Sequence, residues 1–409
     1  MKKRACHPVR PPGTGRPRTA FGVDDIFRAH GEAYRRNHVL TPPQLAVMRD
    51  IEACRTATLG GHLDVCPDCG HERPSYNSCR NRHCPKCQSL EQAKWIESRL
   101  ERVLPVPHFH LVFTLPHEIN PIAMRNAAFV YDLLFDAASG ALLKIAADPE
   151  HLGVQPGVTM VLHTWTRDLR LHPHVHAIVT GGGLVPGTER WIPARSRFFL
   201  PIKVLGAMLR GKVLAALRTA YERGKLDLGG DCMPLADPAV FKRLLDRLYD
   251  KKWVVYAKRP FGGPEQVFRY LGRYTHRTGI SNQRLLSMDD EAVCFHTRDD
   301  NVATLTPDEF IRRFLLHVLP AGFKKIRHRG LLAPANVNTR LVVARRVLDA
   351  PDPPPRTPID WRERLLRLTG VDPTLCTCCG ATLVRRPLSD DRLVPVVAGA
   401  PNPVPEDSS

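Results

Sequence analysis

The stretch from His163 to His176, read as HTWTRDLRLHPHVH, limits what this chain can fold into more than any other. It ends in His174-Val175-His176. Side chains of a strand alternate between its two faces. A strand here therefore sends His174 and His176 to one side and Val175 into the core. His163 closes a second β-like run, Gly157 to Trp165 (GVTMVLHTW), and a short polar connection, Thr166 to Arg170, separates the runs. A hairpin turning there sets three imidazoles on one face of a sheet. Neutral imidazoles ligate divalent ions. Half-buried strand histidines are the competing explanation. A lone histidine would favour it, whereas a pair at i, i+2 with a third across a hairpin favours the metal.

The cysteines give a second constraint. Met1-Lys2-Lys3-Arg4 is basic but no apolar segment of a secretory signal follows it, and no run of about 18 apolar residues marks a membrane span. A cytoplasmic, nucleoid-associated protein is expected, in which clustered cysteines read as metal ligands rather than disulfides. Five of the twelve lie between Cys66 and Cys87. Cys66-Pro67-Asp68-Cys69 and Cys84-Pro85-Lys86-Cys87 are two CxxC knuckles with fourteen residues between them. Two such knuckles complete a tetrahedron, so Cys66, Cys69, Cys84 and Cys87 are expected to share one structural Zn²⁺. Cys79 and His83 are alternates, or belong to a second ion with Cys54, His62 or His71. Cys376-Thr377-Cys378-Cys379-Gly380 is a single knuckle without a visible partner.

Charge points to the binding partner. Lys+Arg is 59 against Asp+Glu of 41, a net +18, and such an excess favours a polyanion, nucleic acid first. Arg80, Arg82 and Lys86 surround the knuckles. A helical pattern from Glu265 to Arg277 carries Val267 and Leu271 as an apolar stripe. Tyr270 and Tyr274 form an i, i+4 pair beside it, with an arginine row of Arg269, Arg273 and Arg277. FKKIRHRGLL, 323–332, is a basic strand or arm whose Lys324, Lys325, Arg327 and Arg329 could track phosphates; the alternative is a solvated edge strand protected by its charges. Four segments are expected: a basic disordered arm (1–22), a helical and zinc-binding module (23–104), a catalytic domain (105–335), and a proline-rich linker and tail (336–409).

The histidines and tyrosines combine into one chemistry. A metal on neutral histidines keeps open positions and polarises a phosphoryl oxygen. A phenol, with an ordinary pKa near 10, is drawn toward phenolate by neighbouring Arg273, Arg277 and the ion. It can then attack phosphorus and store the phosphodiester as a covalent phosphotyrosine. That suits cutting and rejoining DNA.

His174-Val175-His176 followed by a tyrosine helix resembles the HUH endonucleases. LGGHLDVCPDCGHERPSYNSCRNRHCPKCQ, HTWTRDLRLHPHVH, YLGRYTHRTGIS and FKKIRHRGLL together, in that order, resemble the transposases of the insertion sequence ninety-one family over roughly residues 20 to 335. The resemblance implies an α+β fold of the HUH type, an antiparallel sheet of about five strands with packed helices and the metal at its centre. It makes Tyr270 and Tyr274 the nucleophiles and His174 and His176 metal ligands. His163 is placed as third ligand by its similarity to the three-histidine relaxases, with His172 as competitor. Mg²⁺ or Mn²⁺ is the implied catalytic ion. The implied partners are transposon ends, single-stranded or hairpin, and a target strand. No GxxxxGK[ST] loop is found, so a host helicase or replication would separate the strands. The rival readings are a plasmid replication initiator or relaxase, and a non-catalytic zinc-finger regulator of DNA.

Overall fold

The computed structural model describes residues 21–100, 102–195, 200–258, 272, 279–299, 301–350 and 359–388. Along the chain run helices α1 (Val23–Asn37) and α2 (Pro42–Glu52), strands β1 (Gly61–Val65) and β2 (Glu72–Tyr76), and helix α3 (Gln88–Leu100). Strand β3 (His108–Thr114), helices α4 (Asn120–Arg125) and α5 (Ala127–Ala147), and strands β4 (Gln155–Trp165), β5 (Leu171–Leu184) and β6 (Trp191–Pro193) follow. Next come α6 (Ile202–Glu222), α7 (Pro238–Asp250), β7 (Val255–Lys258), β8 (Leu285–Met288), β9 (Val293–His296) and β10 (Val302–Leu305). The described chain closes with α8 (Pro307–Leu315), β11 (Ile326–Gly330), α9 (Arg340–Val347), α10 (Trp361–Thr369) and β12 (Val384–Pro387). The fold is α+β and its paired strands are antiparallel.

Local chemistry sets several boundaries. Pro238 and Pro307 stand at first helical positions, where no N–H is needed. Asp237 accepts the Ala239 N–H at 2.7 Å and Thr306 the Glu309 N–H at 3.2 Å, so both helices start on a side-chain cap.

The chain divides into two compact units. One comprises Met1–Glu91, Ile280–Val318 and Thr357–Ser409. It holds two three-stranded sheets, ordered β12-β1-β2 and β10-β9-β8. Phe27 of α1 meets Phe314 of α8 edge-on at 5.2 Å.

The other unit, Gln92–Gly279 with Leu319–Arg356, is built on one sheet ordered β11-β4-β5-β3-β7, with β6 added to β5. The pairing register sorts its side chains into two faces. Met160, Leu162, Val175, Ala177, Leu111 and Phe113 form the apolar face and belong to one core with residues of α5, α6 and α7. The opposite face carries His108, His110, His163, His174 and His176. The near-continuous apolar sequence of α5 follows from its burial between the sheet and its neighbours. Phe113 is fully buried in that core. Phe113→Ala is expected to cost about 3–5 kcal/mol, read as a lower urea midpoint for this unit.

Candidate metal centres

The β4–β5 hairpin positions the histidines. Its turn is closed by Thr166 N–H donating to the Arg170 carbonyl at 3.0 Å and Arg170 N–H donating to Thr166 Oγ1 at 2.9 Å. Leu169 adopts a left-handed backbone (φ 63°), which costs a residue with a β-carbon about 1 kcal/mol. Its fully buried side chain offsets that cost.

His163 and His174 are direct cross-strand partners, and His176 lies opposite Val161. Ligand atoms of His163, His174 and His176 all fall within 4.8 Å of one another. Their rings pack closely, with centroids 4.5 Å apart for His163 and His176 and 4.9 Å for His174 and His176. His174 Nδ1 donates to the His172 carbonyl at 2.7 Å, which leaves Nε2 as its free lone pair. His176 Nδ1 shares a proton with His110 Nε2 at 2.9 Å. Burial pushes His174 down to about 4 and His176 to about 2. Both are neutral near pH 7, the state a ligand needs. His172 is not in the group of three and contributes its backbone carbonyl. His110 orients a member of that group.

The histidine face is partly covered. Val161 and Ile178 pack with Trp95 of α3 and Ile326 of β11. Arg99 donates to His328 Nε2 at 2.9 Å, so His328 Nδ1 carries the proton it gives to Thr159 Oγ1 at 3.0 Å. Burial, then Arg99 and Arg102, pushes His328 down to about 4, and burial pushes His108 to about 4. Both values lie below the ordinary 6.5, so the unfolded chain takes up protons first as pH falls. Their contribution is complete above about pH 6.5 and is lost on descending toward about pH 4. The metal-free protein is therefore expected to melt several degrees lower near pH 5 than near pH 7.5. A flat Tm across that window would contradict these burial assignments.

Tyr270, Tyr274, Arg269, Arg273 and Arg277 lie outside the described residues. Gly272, which falls between the two tyrosines in sequence, is helical and buried. A β-carbon there would meet the Ile96 side chain of α3 at 2.3 Å. Among the basic candidates, Arg327 pairs with Asp132 and lies 4.3 Å from the Phe135 ring, while Arg329 reaches Asp136 at 3.1 Å. Both arginines therefore turn toward α5. Their alternation with His328 on β11 explains it. Lys325 Nζ is 5.7 Å from the centre of the Trp165 ring, which stacks on His163. Lys324, Arg80 and Arg82 are exposed, and Lys86 pairs with Asp24 at 2.6 Å.

The cysteines sort differently from the expected single site. Cys84 and Cys87 join Cys54 and Cys79, and Cys66 and Cys69 join Cys376 and Cys379. His83 is in neither group. A tetrahedral Zn²⁺ with Zn–S near 2.3 Å has S···S edges of about 3.8 Å. In the first group Cys54 and Cys87 are 3.4 Å apart, Cys54 and Cys84 3.5 Å, and Cys79 and Cys87 3.6 Å. The four sulfurs therefore fit a structural zinc. Strand β2 separates the CxxC knuckles, and each knuckle joins different partners. The sequence signal missed was the glycine: CPDCG and CTCCG end in it, and CPKCQ does not.

Two family profiles match the chain. One, described as "Putative transposase", covers residues 157–340, and the other, a transposase zinc-binding domain of the insertion sequence ninety-one type, covers residues 26–115. A Sinorhizobium fredii protein carrying the same transposase description is 47% identical over 87% of this chain and 92% of its own length. The transposase for insertion sequence element IS801 of Pseudomonas savastanoi pv. phaseolicola is 28% identical over 82% of this chain and 84% of its own.

Proposed function

The chain belongs to the insertion sequence ninety-one family of transposases, and from that premise we propose that it nicks and rejoins single DNA strands through a 5′-phosphotyrosine. The supporting observation is the triad of His163, His174 and His176, with ligand atoms within 4.8 Å at the centre of an antiparallel sheet. These residues would hold the catalytic ion, Mg²⁺ or Mn²⁺, which when bound supplies Lewis-acid charge to a phosphoryl oxygen. His110 and the His172 carbonyl keep the ligand rings in one orientation.

Tyr270 and Tyr274 are the nucleophiles in this reading. One phenol loses its proton, and its oxygen bonds to phosphorus as the P–O3′ bond breaks. The departing oxygen is protonated to a free 3′ hydroxyl, and the 5′ phosphate stays on the tyrosine. The second tyrosine takes another strand in the same way, and a 3′ hydroxyl attacking the phosphotyrosine reseals the backbone. Gly272, packed against α3 over the histidine face, supports placing the tyrosines beside this site. DNA ends, single-stranded or folded, and a target strand are the partners. A host helicase or replication fork would open the duplex.

Full-length protein incubated with labelled single-stranded DNA from its element's ends, with Mn²⁺ or Mg²⁺, should give a protein-linked band on a denaturing gel. Broken strands without that link would indicate hydrolysis instead. Binding with neither breaks nor link, across several ends and both metals, would favour a non-catalytic regulator.

A further inference from the structure

We infer that Cys66, Cys69, Cys376 and Cys379 form a second zinc site, and that this ion holds the segment 359–388 in its folded place. Cys66 Sγ is 3.4 Å from Cys379 Sγ, and Cys69 Sγ is 3.7 Å from Cys376 Sγ. These distances approach the edges of about 3.8 Å expected of a zinc tetrathiolate.

The two knuckles have the same construction. Gly70 and Gly380 both turn through left-handed backbone, at φ 71° and 79°. Gly70 N–H donates to the Cys66 carbonyl at 3.1 Å and Gly380 N–H to the Cys376 carbonyl at 2.9 Å. Cys66 N–H donates to His71 and Cys376 N–H to Ala381, both at 2.8 Å. Each knuckle therefore sits at the tip of a hairpin with both sulfurs presented on one side. Strands β1 and β12 pair in register Val65↔Val384 through His62↔Pro387, which sets the hairpins side by side. Asp64, buried between them, accepts from Arg73 at 3.0 Å and Arg385 at 3.2 Å. Burial works to raise that carboxyl, but the two arginines hold it below the usual range.

Little apolar packing secures the later segment. Among residues 359–388 the only buried side chain is Cys376. Trp361, Leu366, Leu368, Val371, Leu375 and Val384 are all exposed. A segment that buries no apolar core gains its order from a cross-link. The ligand pairs are 307 residues apart in sequence for Cys69 and Cys376, and closing so long a loop removes much of the freedom of the unfolded chain. The site suits Zn²⁺, a soft d¹⁰ ion bound by four thiolates.

The test is the zinc content of the full chain by mass spectrometry of the metal. Wild type should carry about two equivalents in these thiolate sites, and Cys376→Ser/Cys379→Ser about one. Cys378→Ser, at the exposed cysteine outside both groups, should keep both. An unchanged content in the double variant would overturn the proposal, because a site made of Cys66, Cys69, Cys84 and Cys87 would lose nothing. Should the variant fail to fold, wild type decides by maleimide labelling. Cys376 and Cys379 should be protected with zinc and should label, together with new proteolysis after residue 350, once a chelator is added. Labelling at equal rates in both states would also overturn it.

Discussion

His174→Ala and His176→Ala are each expected to reduce strand cleavage by about 10³-fold or more while leaving DNA affinity nearly unchanged. A metal at a phosphoryl oxygen contributes several kcal/mol of charge stabilisation, and each 1.36 kcal/mol is tenfold in rate. Removing one of three ligands leaves a pair too weak to keep the ion. Neither ring belongs to the apolar core on the other face of the sheet, so the fold should survive, which a far-UV spectrum would verify. His110→Gln gives the graded comparison. Its Nε2 meets His176 Nδ1, and losing an orienting partner of this kind costs about 10- to 100-fold. Added Mn²⁺ should rescue part of the His110 defect and none of the His174 defect. Full cleavage by His174→Ala would remove the metal assignment.

The second large effect belongs to the tyrosines. Tyr270→Phe/Tyr274→Phe should bind transposon-end DNA like wild type and form no protein–DNA adduct, because a phenyl ring has no oxygen to bond to phosphorus. The single variants should differ from each other. The one lacking the first nucleophile would not nick. The other would nick and stay linked, without passing the strand on. A quench-flow course run on denaturing gels separates these outcomes. An adduct that persists in the double variant would place the covalent bond elsewhere.

The central hairpin was legible in the sequence for a simple reason. Period-two alternation and a polar turn are local signals, and His163 and His174 needed only one turn to meet. The capped starts of α7 and α8 are equally local features, set within a few residues by Asp237-Pro238 and Thr306-Pro307. The partners of the knuckles were not, because their choice is made by strand pairing between segments more than 300 residues apart. Charge was also an incomplete guide. FKKIRHRGLL reads as uniformly basic, yet alternation on β11 sends Arg327 and Arg329 to Asp132 and Asp136, one helical turn apart on α5. His328 faces the other way, and Lys325, which precedes the strand, reaches the Trp165 ring. Composition counts charges without saying which of them a neighbour has already neutralised.

The unit that contains the knuckles is assembled from three separated parts of the chain, and this has a consequence for its birth on the ribosome. Strands β3, β4, β5 and β7 are all translated before residue 376 exists. At roughly 5–20 residues per second, Cys69 waits about 15–60 s for Cys376, given the 307 residues between them. During that interval its thiolate is open to oxidation or to a passing metal, while the histidine-bearing sheet can already pack. Nascent protein arrested before β12 should therefore hold a folded histidine sheet beside an unfinished cysteine module.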